Sequence, residues 1–390
     1  MVSEVTDEQQ MLIELARNVG STFGLEYWHR KDLAQQAPRE AWSAICEAGI
    51  GGLLLPEAYG GGDGSMVDLS LAVEELAAAG AGSTVGQLFM INPIFCGVAV
   101  SRYGTPAMRE EVLRPLAQGR LWACMALTEA DAGSNTLEIT TRADSDGDGW
   151  RLHGSKTWIT AVPEADKMLV IARTLPIAEV SRRTEGISMF MIDADRAGVT
   201  ATDIPKAGTR TLSANSVHFD DVQVHAGELI GTEHGGWTEL LDVLNTERMV
   251  TTAGLVGTGR LATRLAVDYA NERIVFGDRP ISSYQGLQFP LATAYAELRS
   301  ARLMNLDAAE RYDRGQPCGE EANIAKFLAA RASEAAIDRS MQTMGGMGYA
   351  VESHLERLWR DARLFRFAPV SEEMILNFLA VHCLGMERSY

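Results

Sequence analysis

Two changes of pattern along the chain limit its fold more than any other feature. Up to about residue 122 the apolar residues fall at helical spacing. Thr6-Asp7-Glu8-Gln9 predicts a helix start with acids in its first turn, and Leu12, Leu15 and Ala16 follow on one face. Near Leu121 the period shortens. Residues 124–127, 150–153, 168–172, 187–192 and 217–224 are short apolar or alternating runs, and the turn cluster Asp144-Ser145-Asp146-Gly147-Asp148-Gly149 predicts a hairpin. From about Gly236 helical spacing returns in long segments at 237–272, 284–314, 319–345 and 370–384. The expected fold is α+β and multidomain: an N-terminal α-helical domain at 1–122, a middle β barrel or sandwich at 123–232, and a C-terminal four-helix bundle at 233–390.

Composition excludes several function classes. The 390 residues are 46% hydrophobic and 22% charged, which is globular, and a chain this long needs no staple to hold a core. Lys plus Arg number 35 against 52 Asp plus Glu, a net of −17 that disfavours nucleic acid and anionic membranes as partners. Five scattered cysteines without a CxxC pair and seven dispersed histidines without HExxH predict neither a disulfide framework nor a metal site. Reduced cysteines and the acidic N-terminus MVSEVTDEQQ, unlike a signal peptide, predict a cytoplasmic protein. Residues 76–101 carry no charge and are long enough to cross a bilayer. Gly80, Gly82, Gly86 and Gln87 interrupt them, and Asn92-Pro93 predicts a turn between two buried helices rather than a membrane span. The run Gly60-Gly61-Gly62-Asp63-Gly64 lacks the strand, helix and Lys-Ser/Thr of a phosphate loop and reads as a plain turn.

Three segments carry candidate chemistry. Leu240, Leu244, Glu247, Thr251, Gly254, Thr258, Leu261 and Leu265 share one helical face, small in its middle and leucine at both ends. Glu247 therefore lies on a stripe that ought to be core. It is either an edge carboxylate neutralised by an arginine, or a carboxylate in an apolar cavity whose raised pKa suits a general base. Leu127-Thr128-Glu129-Ala130-Asp131-Ala132-Gly133-Ser134-Asn135 passes from an apolar strand into a turn rich in donors. Lys156-Thr157-Trp158-Ile159-Thr160 places an indole and a hydroxyl on one strand face by alternation, which suits a planar heterocycle or an ordinary half-buried strand.

Together these segments resemble the acyl-CoA dehydrogenase family. The resemblance spans Ala48-Gly49-Ile50-Gly51-Gly52-Leu53, Pro56-Glu57-Ala58-Tyr59-Gly60-Gly61, Val73-Glu74-Glu75-Leu76, Leu127-Thr128-Glu129 with Ser134, and Trp158-Ile159-Thr160. It continues through Phe219-Asp220-Asp221-Val222, Arg273 with Phe276-Gly277 and Gln285, Gln342 with Gly345-Gly346-Met347-Gly348-Tyr349, and Arg360-Asp361-Ala362-Arg363. The resemblance implies FAD between the middle and C-terminal domains and assembly as a homodimer or homotetramer. Leu127, Thr128, Ser134, Trp158, Thr160 and Ser371 would contact the flavin. Arg273, Phe276, Gln285, Gln342, Gly345 and Gly346 would contact FAD across the subunit interface, where glycines admit backbone N–H groups to pyrophosphate and Arg273 adds positive charge. Ser134, Arg248 and Ala368 would border the acyl-CoA substrate. The implied reaction is α,β-desaturation: a carboxylate takes the α-proton, the β-hydrogen leaves as hydride to flavin N5, and an electron-transfer flavoprotein accepts the electrons.

This chain departs from the common pattern at one place. The position that carries the catalytic glutamate in many members is Pro369 here, within Phe367-Ala368-Pro369-Val370-Ser371-Glu372-Glu373. The resemblance is then to the branch, including isovaleryl- and long-chain-type enzymes, whose base lies on the first bundle helix, at Glu247 before Arg248. Glu372 and Glu373 serve as base only with a register shift. Pro369 also lacks the backbone N–H that polarises the thioester carbonyl in the family, which a displaced loop restores through another amide. Ala368 replaces a tyrosine, and the lost volume predicts a bulky, branched or cyclic acyl group. Two other readings are a flavin oxidase or monooxygenase on the same fold, and a noncatalytic subunit of a hetero-oligomer.

Overall fold

The computed structural model describes residues 5–388, so the first four residues and the last two, which belong to the expected N- and C-terminal domain ranges, lie outside the described residues. The first helix, α1 (Asp7–Thr22), starts where its acids predict. The Thr6 hydroxyl accepts from the Gln9 N–H at 3.2 Å, and the Gln9 side chain accepts from the Thr6 N–H at 3.1 Å. Then follow α2 (Leu25–Ala34), α3 (Arg39–Glu47), α4 (Met66–Leu76), α5 (Ser83–Phe89), α6 (Ala99–Tyr103) and α7 (Pro106–Ala117).

The expected turn at Asn92-Pro93 is not there. The chain breaks earlier, at Gly80 (φ 146°) and Gly82 (φ 64°), conformations that glycine adopts without strain. From Ser83 to Tyr103 the helix is continuous, because a π-helical stretch, Met90–Val98, absorbs the proline. Asn92 does not end this helix. Its Nδ2 donates to the Leu88 carbonyl at 3.1 Å and its Oδ1 accepts from the Ala123 N–H at 2.9 Å, which pins the helix to the first strand. Ser83–Tyr103 is long and apolar enough to cross a membrane, and it is buried inside the protein. The Gly60–Gly64 turn, in contrast, is as plain as it reads: its amides from Gly61 to Gly64 are spent on the carbonyls of Pro56, Gly52, Leu55 and Leu53.

The middle of the chain supplies β1 (Ala123–Ala126), β2 (Arg142–Asp146), β3 (Gly149–Thr160), β4 (Lys167–Arg173), β5 (Ile187–Asp193), β6 (Val199–Asp203), β7 (Ala214–Val224) and β8 (Leu229–Ile230). The path is β6-β7-β3-β2-β4-β5-β8, with β1 parallel to β4. In the sheet the two halves are joined by the pair Arg142–Arg173, and Leu152, Phe219 and Val222 of one half share a core with Val170, Phe190 and Ile192 of the other. The expected hairpin is β2–β3, closed between Asp146 and Gly149 with Gly147 at φ 67°.

The C-terminal part holds α8 (Gly236–Glu272), α9 (Gln285–Asp313), α10 (Gly319–Met344), α11 (Gly346–Tyr349), α12 (Leu355–Arg363) and α13 (Glu372–Phe378). Three long helices packed on one another through short connections run up, down and up. The fourth segment, expected over 370–384, is a shorter α-helix that ends in π-helical Leu379–Cys383. The small middle of the α8 stripe serves packing: a Cβ on Gly254 would lie 3.3 Å from the Gly86 Cα, so α5 and α8 cross almost backbone to backbone.

Candidate active site

Glu247 lies on the face of α8 that its spacing predicts, and its side chain is wholly buried. The Thr251 hydroxyl, one turn on, donates to Oε1 at 2.8 Å, while Oε2 has no partner among the described residues. Burial pushes this carboxyl above its ordinary range, against the opposing pull of Arg248, the Thr251 hydroxyl and Lys326. Arg248 turns back on its own helix, donating to the Leu244 carbonyl at 3.2 Å and to Asn245 Oδ1 at 2.9 Å. A carboxylate raised by desolvation, with one oxygen uncommitted, has the properties of a proton acceptor. The other two candidates differ. Glu372 is bound by the Arg366 guanidinium, with Nη2 at 2.7 Å from Oε2, and Glu373 is exposed and held below its ordinary pKa by hydrogen bonds.

Lys326 of α10, which the sequence reading overlooked, is also fully buried. Its ammonium donates to the Phe365 carbonyl at 2.6 Å and to the Val370 carbonyl at 2.5 Å, bracketing the turn that holds Ala368 and Pro369. Burial pulls it down to about 8, with Glu247 acting in opposition. It sits at helical spacing among buried Ala322, Ala329, Ser333 and Ile337, which is the same anomaly that singles out Glu247. In that turn Pro369 offers no N–H, and among the described residues the amides of Val370 and Ser371 make no bond to another backbone group. The Ser371 hydroxyl caps α13, accepting from the Met374 N–H at 3.3 Å.

On the sheet, the residues on either side of Thr128 are held by a second buried lysine. Lys156 Nζ donates to the Leu127 carbonyl and to Glu129 Oε1, both at 2.9 Å. The carboxylate also accepts from the Thr140 and Thr141 amides at 2.7 and 2.9 Å. Burial works to raise Glu129, but these partners outweigh it and hold the carboxyl at about 2. The Thr157 N–H donates to the Thr128 carbonyl at 2.8 Å, which ties the Thr128 loop to β3. The strand is bulged here. The register slips between Lys156 and Ile159, both of which point into the interior, and Trp158 adopts φ 60° with 57% of its surface exposed. Past this bulge Trp158 and Thr160 flank buried Ile159, and Ser134 lies exposed in the loop after β1.

The remaining predicted residues gather at the other end of the bundle. Arg273 and Phe276 follow α8, Gln285 opens α9, and Gln342, Gly345 and Gly346 lie where α10 ends, which the up-down-up course puts at the same end. Phe276 is 99% exposed, and Ile274, Tyr284, Met347 and Tyr349 around it are exposed as well. A Cβ at Gly345 or Gly346 would meet nothing within 4 Å. An exposed indole beside a hydroxyl, an open glycine edge and a nearby arginine suit a flavin ring at one place and a pyrophosphate at the other, so the residues present fit FAD.

Residues 6–120, 124–222 and 234–384 match the N-terminal, middle and C-terminal domains of acyl-CoA dehydrogenase. The chain belongs to the acyl-CoA dehydrogenase family. It is 37% identical over 387 residues to the acyl-CoA dehydrogenase FadE12 of Mycobacterium tuberculosis (strain H37Rv), covering 99% of this chain and 98% of that protein. It is 29% identical over 381 residues to the 3-(aryl)acrylate reductase of Clostridium sporogenes, covering 97% and 99%. Among solved structures, butyryl-CoA dehydrogenase from Megasphaera elsdenii superposes with a TM-score of 0.92 at 29% identity, covering 98% of this chain and all of that one. This acyl-CoA dehydrogenase is an oxidoreductase and a flavoprotein, and its cofactor is FAD.

Proposed function

We propose that this acyl-CoA dehydrogenase desaturates an acyl-CoA thioester between its α and β carbons, with Glu247 as the base that takes the α-proton. The observation that carries the reading is the buried, half-satisfied carboxyl of Glu247, with Oε2 free to accept. FAD, when bound, supplies the acceptor for the β-hydride. Leu127, Thr128, Ser134, Trp158, Thr160 and Ser371 hold the flavin, and Ser134, Arg248 and Ala368 border the thioester and its acyl chain. With Pro369 unable to donate, the Val370 or Ser371 amide is the donor left in that turn to polarise the thioester carbonyl.

The length of α8 supports an assembly of at least two chains, a homodimer or a homotetramer. Glu247 and Arg273 are separated by about 39 Å of helix at about 1.5 Å per residue. We infer that Arg273, Phe276, Gln285, Gln342, Gly345 and Gly346 grip the FAD of the neighbouring subunit, whose flavin end lies by that subunit's own Glu247. The exposed apolar side chains at that end suit a subunit contact. An electron-transfer flavoprotein is the proposed acceptor of the electrons.

The small Ala368 and Pro369 at the turn favour a bulky, branched or ring-bearing acyl group, and a relative whose name specifies an aryl substrate supports that direction. Anaerobic mixing of the flavin-loaded protein with straight, branched and ring-bearing acyl-CoAs tests both parts. Bleaching of the flavin absorbance by branched or ring-bearing members is expected. Faster bleaching by straight short chains than by all others refutes the acyl class, and no bleaching by any member refutes the reaction.

A further inference from the structure

Lys326 makes two hydrogen bonds that close a turn, and a neutral amide could make them as well. A buried ammonium is costly unless something compensates its charge. The charges that face Lys326 are Glu247 and Arg248 from α8, and Glu372 with Arg366 from the C-terminal turn and helix. Arg366 already occupies Glu372. Glu247 is left as the anion that Lys326 can answer, and among the described residues the charges acting on Glu247 are Arg248, on its own helix, and Lys326, from across the bundle. The Arg248 guanidinium is committed to Leu244 and Asn245. Lys326 has three donors and uses two, both on carbonyls of the turn at 365–370.

We propose that Lys326 is a positioning residue for the reaction, tying the turn of Ala368 and Pro369 to the bundle through its two carbonyl bonds and bringing a positive charge from across the bundle to bear on Glu247. The inference rests on Glu247 as the base and goes beyond it. It assigns the placement of the turn and the ionisation of the carboxylate to one ammonium. Removing the charge leaves Glu247 harder to ionise, so the protein needs a higher pH before the base can work.

The experiment uses three variants of the flavin-loaded protein and one acyl-CoA that bleaches it, with the rate of bleaching followed from pH 5 to 9. Lys326→Gln retains a donor for the turn but no charge. Its acid limb is expected to move to higher pH by about one unit. Lys326→Met also loses the donor, and it is expected to show the same displaced limb with a raised KM. Lys326→Arg keeps the charge and is expected to titrate with the wild type, even if its maximal rate drops. An acid limb at the wild-type pH in flavin-loaded Lys326→Gln overturns the proposal. A displaced limb in Lys326→Arg overturns it too, and this arm decides the matter if the neutral variants do not fold. Glu247→Gln, measured alongside, separates the two readings: bleaching at the wild-type rate removes Glu247 as base whatever Lys326 does.

Discussion

The Thr251 hydroxyl donates to one oxygen of Glu247 at 2.8 Å and leaves the other bare. The hydrogen bond fixes the carboxyl's orientation from a position one helical turn away. Burial meanwhile raises its proton affinity.

Replacement of Glu247 by Gln preserves shape and removes the proton acceptor. The rate of flavin bleaching is expected to fall about 10²- to 10⁴-fold with flavin content unchanged. The carboxyl's pKa is raised in the folded protein, so its favourable contribution to stability is present below the unfolded value and is lost as pH rises through the folded one. Melting curves of Glu247→Gln are therefore expected to exceed wild type at pH 8 and to converge with it near pH 4.

Thr251→Val removes a donor that favours the charged carboxylate. Such a bond is worth about 1.5–3 kcal/mol to a charged group, and about 1.36 kcal/mol corresponds to one pH unit. The acid limb of the pH–rate profile is expected to rise by about one to two units, and an unchanged limb would contradict the role given to this hydroxyl.

Lys156→Met strands Glu129 without its buried partner. Loss of one member of such a pair costs about 3–5 kcal/mol, which a denaturant titration measures. Because Lys156 also holds the Leu127 carbonyl, FAD retention after gel filtration is expected to fall. Glu129 is depressed to about 2, so its stabilisation is present above its unfolded value near 4.5 and is lost as pH falls from there towards 2. The wild type is expected to lose stability over that window, and Lys156→Met to lose less.

Mixed dimers test the shared cofactor. Neither Glu247→Gln nor Arg273→Ala is expected to turn over alone, the latter through weak FAD binding. When co-expressed, a dimer of one of each has one site with an intact Glu247 and an intact Arg273 from its neighbour. About half of the sites in such dimers are expected to be active. No recovery in isolated mixed dimers contradicts the shared arrangement.

Ala368→Tyr fills the space beside Pro369. Bleaching by ring-bearing or branched acyl-CoAs is expected to slow about tenfold or more, while straight chains lose less. Equal slowing of both classes would place Ala368 away from the acyl chain.

The three-part division of the chain and the inward face of Glu247 were legible because both depend on local periodicity. The break between the apolar helices was not. Pro93 reads as a stop, yet tertiary packing and the Asn92 side chain carry the helix through it. The bulge between Lys156 and Ile159 was not legible, because a bulge depends on the partner strand, which a single segment does not reveal. Lys326 was readable in principle as a charge on a stripe of small residues. What it holds, carbonyls about 40 positions further on, belongs to the folded chain alone.

The apolar helix Ser83–Tyr103 has a consequence for biosynthesis. Its main cover, Gly236–Glu272, is translated about 130 residues later, a delay of about 7–26 s at about 5–20 residues per second. During that interval a nascent chain carries a 21-residue segment as apolar as a membrane span with its cover still unmade. Overexpression that outruns the supply of chaperones is therefore expected to yield inclusion bodies, even though the finished fold buries all but the last turn of the segment.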